Sequence, residues 1–255
     1  MMENTTAVHN KVVLVTGGAR GIGKAVVEKF ASLGYTIAIN YNSSEERANN
    51  LLSELTEKGV SAITIKADIS NEEEVKSMIR TVVERFGKID ILVNNSAVNY
   101  DTLFQDKTTE QFRRTLDVNV IGTFLVSKYA GEVMYNNKYG KIINLSSTNA
   151  INTYFPMCID YDASKAAIIS LTHNLATQFA PFVTVNAVAP GFIATESEVE
   201  GMDEEFITLE TEKVMVKRAG QPEDVANLVS FLASDDADFI NNQIIKIDGG
   251  IYGDE

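Results

Sequence analysis

The chain reads as an α/β protein, a single doubly wound domain with a seven-stranded parallel sheet and helices on both faces. Three observations predict it. Short β-branched runs alternate with helix-period segments from one end of the 255 residues to the other. A composition of 45% hydrophobic and 22% charged residues suits one large core in a globular protein. No segment repeats, and no Pro/Gly/Ser-rich linker divides the chain.

The elements follow in order. KVVLVT (11–16) is the first strand and runs into the turn Thr16-Gly17-Gly18-Ala19-Arg20-Gly21-Ile22-Gly23. A helical stripe of Ile22, Val26, Phe30 and Leu33 comes next and ends at Gly34, a C′ glycine. YTIAIN (35–40), SAITIK (61–66), IDILVN (89–94), GKIINLS (140–146), FVTVNAV (182–188) and NQIIKID (242–248) complete the strands. Helices are expected over 44–58, 71–86, 108–134, 160–180 and 222–234. Residues 1–10 form a tail and 11–255 one domain, within which ESEVEGMDEEF breaks the rhythm. That insertion, part of a substrate lid at about 192–218, would lie beyond a strand's C-terminal end, where such sheets bind ligands.

Charge and cysteine content narrow the function. A formal net charge of −13 argues against nucleic acid and anionic membrane as partners. The one cysteine, Cys158, has no intrachain disulfide partner. The opening MMENTTAVHN lacks the basic and apolar regions of a signal peptide, and no apolar run approaches the ~18 residues of a membrane helix. A cytoplasmic protein is expected.

The glycine-rich turn lies between a strand and a helix. Glycines permit the tight turn and let backbone N–H groups reach a pyrophosphate at the positive helix end. A phosphate-loop NTPase competes, since Gly18 to Lys24 fits GxxxxGK, but Ala25 stands where a magnesium-binding Ser or Thr belongs. The second strand ends in Asn40-Tyr41-Asn42-Ser43-Ser44, without the carboxylate that would repel a ribose 2′-phosphate. Arg20 is placed to offer that phosphate a cation, so NADP(H) is favoured over NAD(H).

Tyr161 and Lys165 are four residues apart in YDASK and share a helix face, fourteen residues beyond Ser147 in INLSS. A cation beside a phenol favours phenolate, which makes a general acid/base without histidine. With the nucleotide turn, the pair points to hydride transfer to or from a carbonyl. His173 is about 120° around an ideal helix from Tyr161 and is no candidate base. No HExxH, CxxC or GxSxG occurs, so neither a zinc site nor a Ser-His-Asp hydrolase has support.

Thr16–Gly23, Asn94-Asn95, Asn119, Ser147, Tyr161, Lys165 and Pro190-Gly191 stand in this order over about residues 11–250. In this the chain resembles the short-chain dehydrogenase/reductase family. NAVAPGFIAT and RAGQPEDVANLVSFLASDDADFINNQIIKIDGG look most like its bacterial 3-oxoacyl-carrier-protein reductases. The resemblance implies a Rossmann domain and a homotetramer, with helices 108–134 and 160–180 packed between subunits. It implies that Tyr161 exchanges the proton with the carbonyl oxygen and Ser147 hydrogen-bonds that oxygen. Lys165 would depress the Tyr161 pKa and bind the nicotinamide ribose, and Asn119 would hold a relay water. For the cofactor it implies Asp68 at the adenine edge, Asn95 at the floor, and Ile193 and Thr195 at the carboxamide. The full cofactor set is Thr16, Gly17, Arg20, Gly21, Ile22, Gly23, Asn40, Ser43, Asp68, Ile69, Asn95, Ser96, Tyr161, Lys165, Pro190, Gly191, Ile193 and Thr195.

Two departures bear on substrate and cofactor. Ser96-Ala97 replaces the usual Ala-Gly after Asn95, which adds a Cβ at the cofactor floor. No Lys or Arg occurs between Lys165 and Lys213, an interval with eight acidic residues from Glu196 to Glu212, so the lid would repel an acidic carrier protein. Lys138 and Lys141 offer a smaller basic edge. Substrate therefore stays open between an acyl thioester and a neutral or cationic sugar, polyol or ketone. A silent dinucleotide sensor and an assembly subunit are the readings from other classes, and the intact Asn119, Ser147, Tyr161 and Lys165 set favours an enzyme. Asp160 and Asp162, flanking Tyr161, are expected to be solvated or paired with another subunit and to move the activity optimum alkaline.

Overall fold

A computed structural model describes residues 11–151, 155–196 and 203–251. Seven strands pair in parallel in the order β3-β2-β1-β4-β5-β6-β7. They are β1 (Val12–Val15), β2 (Thr36–Tyr41), β3 (Ala62–Lys66), β4 (Ile91–Asn94), β5 (Gly140–Leu145), β6 (Val183–Pro190) and β7 (Ile244–Ile247). Each matches an expected run to within a few residues, because an all-parallel sheet buried on both faces demands continuous apolar, β-branched segments.

The two-residue period of each strand divides the core. Val13 and Val15 join Ile37, Ile39 and Val93 on the face covered by α1 (Gly21–Ser32) and α8 (Pro222–Leu232). Val12 and Leu14 join Ala38, Leu92 and Ile142 on the opposite face. There they pack with Val75, Met78 and Val82 of α3 (Glu72–Phe86), Leu125 and Met134 of α5 (Thr123–Asn136), and Leu175 of α6 (Ile159–Gln178). α2 (Glu45–Glu57) contributes Leu51 and Leu55 to the α1 face.

Local signals account for the helix ends. Gly34 adopts φ +80° just past α1, as the sequence predicts. Asn71 caps α3 by accepting from the N–H groups of Glu73 and Glu74, and Gly87 ends it with φ 80°. Thr108 and Gln111 form a capping box at the start of α4 (Thr109–Leu116).

Two segments differ from expectation. The helix expected over 108–134 is not one regular α-helix: α4 passes through a π-helical turn, Asp117–Gly122, before α5. A single wide turn leaves no trace in an apolar period, and such turns recur at functional sites. Within the acidic insertion, α7 (Glu204–Glu212) is capped by Asp203, whose carboxylate accepts from the Phe206 N–H at 2.7 Å. The expected tail 1–10 and lid residues 197–202 lie outside the described residues. No helix among the described residues is long and apolar enough to cross a membrane.

Strand order reverses direction between β1 and β4, so the loops leaving their C-terminal ends diverge to opposite faces and open a crevice. The core on the α1 face includes Phe30, fully buried and edge-to-face with Tyr35 at 5.3 Å between ring centroids. Phe30→Ala is expected to cost about 3–5 kcal/mol of stability, read as a lower urea midpoint with an unchanged slope.

Candidate active site

The crevice is built from the β1 turn outward. Thr16 is fully buried, and its Oγ1 accepts from the backbone N–H groups of Asn95 at 3.0 Å and Ser96 at 3.1 Å. Asn95 returns the contact, its Nδ2 donating to the carbonyls of Thr16 at 3.0 Å and Gly17 at 3.1 Å. Gly17 and Gly21 take φ +61° and +52°, and a Cβ on Gly23 would stand 2.3 Å from the Gly17 carbonyl oxygen. Arg20 is the N-cap of α1 and gives no side-chain cap, and the first turn holds no acidic residue. Its first N–H groups and its positive dipole end are therefore available to an anion.

The expected cofactor residues divide by exposure and partner. Arg20 and Ser43 are exposed, and Ile22 packs against the core of the α1 face. Asn40 is 1% exposed and already engaged: its Oδ1 accepts from the Gly17 N–H at 3.4 Å and its Nδ2 donates to the Ala67 carbonyl at 3.0 Å. Its side chain thus supports the turn from below. Asp68 accepts from Ser70 Oγ at 2.6 Å and pairs with Arg114 at 2.7 Å. Burial pushes this carboxyl upward, but the Ser70 and Arg114 hydrogen bonds prevail and hold it below its ordinary range. Ile69 is buried so tightly against Gly122 that a Cβ there would meet Ile69 Cδ1 at 2.7 Å. Pro190 ends β6, Gly191 lies against Asp248, and Ile193 and Thr195 are buried beyond it. Thr195 Cγ2 comes within 3.6 Å of the Cβ position on Gly21, and Ser96 Oγ within 2.9 Å of that on Gly17. The loops after β1, β4 and β6 therefore converge.

On the other side of the crevice, β5 and α6 are laced together. Lys165 has 4% exposure; its Nζ donates to the Leu145 carbonyl at 2.6 Å, and Ser146 Oγ donates to the Lys165 carbonyl at 2.9 Å. Nζ lies 5.4 Å from the Tyr161 ring centroid, so the two side chains meet as their four-residue spacing requires. Burial pushes the Lys165 ammonium down to about 8. Ser147 caps the short turn Thr148–Ala150, its Oγ accepting from the Asn149 N–H at 3.2 Å. Asn119, in the π turn, is 1% exposed. Its amide exchanges hydrogen bonds with the Val98 backbone at 2.8 and 3.0 Å and donates to Ser164 Oγ at 2.9 Å. It joins the β4 loop to α6 directly. His173 is exposed on α6, next to Asn242.

Three residues differ from what the sequence suggested. Asp160 is neither solvated nor reserved for another subunit: it is fully buried, 2.8 Å from Lys107 Nζ, and accepts from Thr115 Oγ1 at 2.7 Å. Lys107 has no local sequence signal because its partner comes from a distant helix. Asp162 is half-buried; burial pushes its carboxyl up despite hydrogen bonds from Asn149 and Phe155. Lys141 offers no basic edge, since it is buried and paired with Asp238 at 2.6 Å. The Cys158 thiol, pushed up to about 12 by burial, donates to Asp101. A surface pocket of about 420 Å³ beside Phe104, Phe112 and Ile159 contains none of the candidate residues. Convergent polar groups at the sheet's switch point, and not volume, mark the site.

The chain is similar to known proteins over most of its length. A family described as Enoyl-(Acyl carrier protein) reductase matches residues 17–252. The 3-oxoacyl-[acyl-carrier-protein] reductase FabG of Staphylococcus aureus is 39% identical over 247 residues, 95% of this chain and 98% of the relative. Glucose 1-dehydrogenase 2 of Bacillus subtilis is 36% identical over 244 residues, 94% of each chain. The crystal structure of a short chain dehydrogenase from Burkholderia cenocepacia J2315 in complex with NADP superposes with a TM-score of 0.88. It shows 33% identity and covers 95% of this chain and 98% of that one.

The buried ammonium has a consequence for stability. Its folded value of about 8 lies below the ordinary 10.5, so between these values the unfolded chain holds the extra proton. The contribution of Lys165 to stability therefore rises with pH through that window and is least favourable below it. From pH 7 to pH 10, the stability difference between the parent and Lys165→Met is expected to move in the parent's favour by about 2–3 kcal/mol. Urea unfolding of both proteins at the two pH values measures it, and an unchanged difference contradicts it.

Proposed function

Because the chain belongs to the short-chain dehydrogenase/reductase family and is an oxidoreductase, we propose that it transfers hydride between NADP(H) and a carbonyl or secondary alcohol. Our first reading of the substrate is a 3-oxoacyl thioester. The single observation that carries the reaction type is the Tyr161–Lys165 pair, 5.4 Å apart and tied to β5 beside Ser147.

The crevice fits a dinucleotide. The α1 N-terminus and the Gly17–Gly23 turn would hold the pyrophosphate, with Asp68 and Ile69 toward the adenine and Asn95, Ser96, Ile193 and Thr195 toward the nicotinamide. Arg20, exposed in the turn, and a β2 end without carboxylate favour a 2′-phosphate. The NADP bound by the Burkholderia relative agrees with this choice. When bound, the dinucleotide supplies or accepts the hydride.

This chain's own residues handle the proton. The hydroxyls of Ser147 and Tyr161 hydrogen-bond the substrate oxygen and orient the carbonyl carbon. In the direction of reduction, Tyr161 gives its proton to that oxygen as the carbon gains the hydride, and the Lys165 ammonium stabilises the phenolate left behind. In oxidation the same phenolate takes the alcohol proton. Asn119 keeps the β4 loop and α6 in register for this exchange.

A second substrate class has its own support. Lys141 is paired with Asp238, and α7 in the acidic insertion carries Glu204, Glu205, Glu210 and Glu212. An acidic carrier protein meets little positive charge there, whereas a sugar, polyol or ketone meets no repulsion. The glucose dehydrogenase relative fits that class. A homotetramer in the cytoplasm completes the reading.

Two measurements test it. NADPH oxidation with 3-oxoacyl thioesters, sugars and ketones is expected to fall at least about 100-fold in Tyr161→Phe. Binding of NADPH without turnover across the whole panel would favour a silent sensor. An acyl-carrier substrate that outperforms its small thioester analogue only at low salt would establish carrier docking. Arg20→Ala is expected to weaken NADPH about tenfold and leave NADH binding nearly unchanged, since one charge-assisted hydrogen bond is lost; equal weakening of both contradicts the 2′-phosphate role.

A further inference from the structure

Tyr161 stands in the first turn of α6, immediately after a residue that is out of place by ordinary rules. Asp160 is fully buried, in a position where a lone carboxylate is strongly disfavoured. Its partner Lys107 precedes α4 and is itself buried, with a side chain 4% exposed and Nζ 2.8 Å from Asp160 Oδ1. The second carboxylate oxygen accepts from Thr115 Oγ1 of α4 at 2.7 Å. Lys107 Nζ also donates to the carbonyl of Tyr100, in the segment after β4. One cation thus joins three pieces of chain: the β4 loop, the entry to α4 and the turn of α6 that carries Tyr161.

We propose that Lys107 is a positioning residue for proton transfer at Tyr161, anchoring the first turn of α6 and cancelling the negative charge of Asp160, one residue before the phenol in the chain. The inference rests on the reading of Tyr161 as the proton donor and adds how its acidity is set. Burial works against ionisation of Asp160, but the Lys107 and Thr115 hydrogen bonds more than offset it and hold the carboxyl below its ordinary range. The Asp160 carboxylate is therefore held in its charged form, directly against Lys107 Nζ.

The remaining charged and polar groups lie on the elements that pack against the first turns of α6. On α6 these are Asp162, hydrogen-bonded by Asn149, and Lys165. The β4 loop brings Asp101, bound to Cys158 at the start of α6. β5 and the turn after it bring Ser146, Ser147 and Asn149. α4 brings Thr115. Asp160 is the one among these whose charge is matched by a buried cation in direct contact, so removing that cation changes the local field without touching the residues proposed to meet substrate.

The test follows the ionisation of Tyr161 itself, as the ultraviolet phenolate signal of each protein minus that of the same protein carrying Tyr161→Phe. It requires no substrate, so a failure of the proposed activity and a failure of this inference are read separately. Lys107→Met leaves Asp160 unmatched and is expected to move the Tyr161 titration alkaline by about one pH unit. Asp160→Asn leaves Lys107 unmatched and is expected to move it acid. The double variant, K107M with D160N, is expected to return it close to the parent. The pH limb of kcat/KM on any turned-over substrate should follow the same three directions. If Lys107→Met does not fold, Asp160→Asn and the double variant decide. A titration that stays in place in every folded variant, with only the unfolding midpoint lowered, overturns the proposal and leaves the pair a purely structural tie.

Discussion

The loops leaving β1 and β4 part company at the point where strand order reverses, and Thr16 and Asn95 are what keep them in one piece. Thr16 Oγ1 takes two backbone N–H groups from the β4 side, and the Asn95 amide covers two carbonyls on the β1 side. Thr16 is sealed from solvent, so water cannot replace it. Losing the hydroxyl would strand N–H groups at roughly 1–3 kcal/mol each. The glycine turn packs against this tie: Gly23 can approach the Gly17 carbonyl and the Asn95 amide because it carries no Cβ.

The opposite wall depends on polar groups taken out of water. Lys165, Ser146 and the Leu145 carbonyl join α6 to the end of β5, while Asn119 joins α6 to the β4 loop through the π turn. A wide turn in the middle of a long helix displaces its side chains relative to a regular α-helix. Here it places an amide against the Val98 backbone, with hydrogen bonds in both directions. Lys165 and Lys107 show two outcomes of burying an ammonium. Without an acidic partner, burial weakens the proton's hold at Lys165. Beside Asp160, Lys107 shares a compensated pair, and the cost of desolvation is met by direct attraction and by the Thr115 and Tyr100 contacts.

The acidic insertion and the buried Lys141 belong together in an account of the surface. α7 carries acidic residues in its first turn, which its N-terminal dipole favours, and Asp203 caps it. These charges have a local structural reason apart from any substrate. Lys141, one of the two cations the sequence offered as a counterweight, is paired with Asp238 because it sits within β5, an interior strand of a sheet covered on both sides. Only a charged partner lets a lysine occupy that position.

What was legible in the sequence was what depends on neighbours in the chain. Seven β-branched runs announced seven parallel strands, Gly34 marked the end of α1, and the spacing of Tyr161 and Lys165 put them on one helix face. Such features follow from backbone geometry with period two or 3.6 and from the φ each residue allows. The tertiary structure alone decided which polar side chains are occupied. Asn40 and Asn119 are engaged with backbone from other loops, Asp160, expected to be solvated or paired with another subunit, is paired with Lys107, and Lys141, expected at a basic edge, is buried. Hydrogen bonds and ion pairs of this kind form between segments brought together only by the closed sheet. Their sign and strength depend on burial, and burial is a property of the whole fold rather than of any stretch of it.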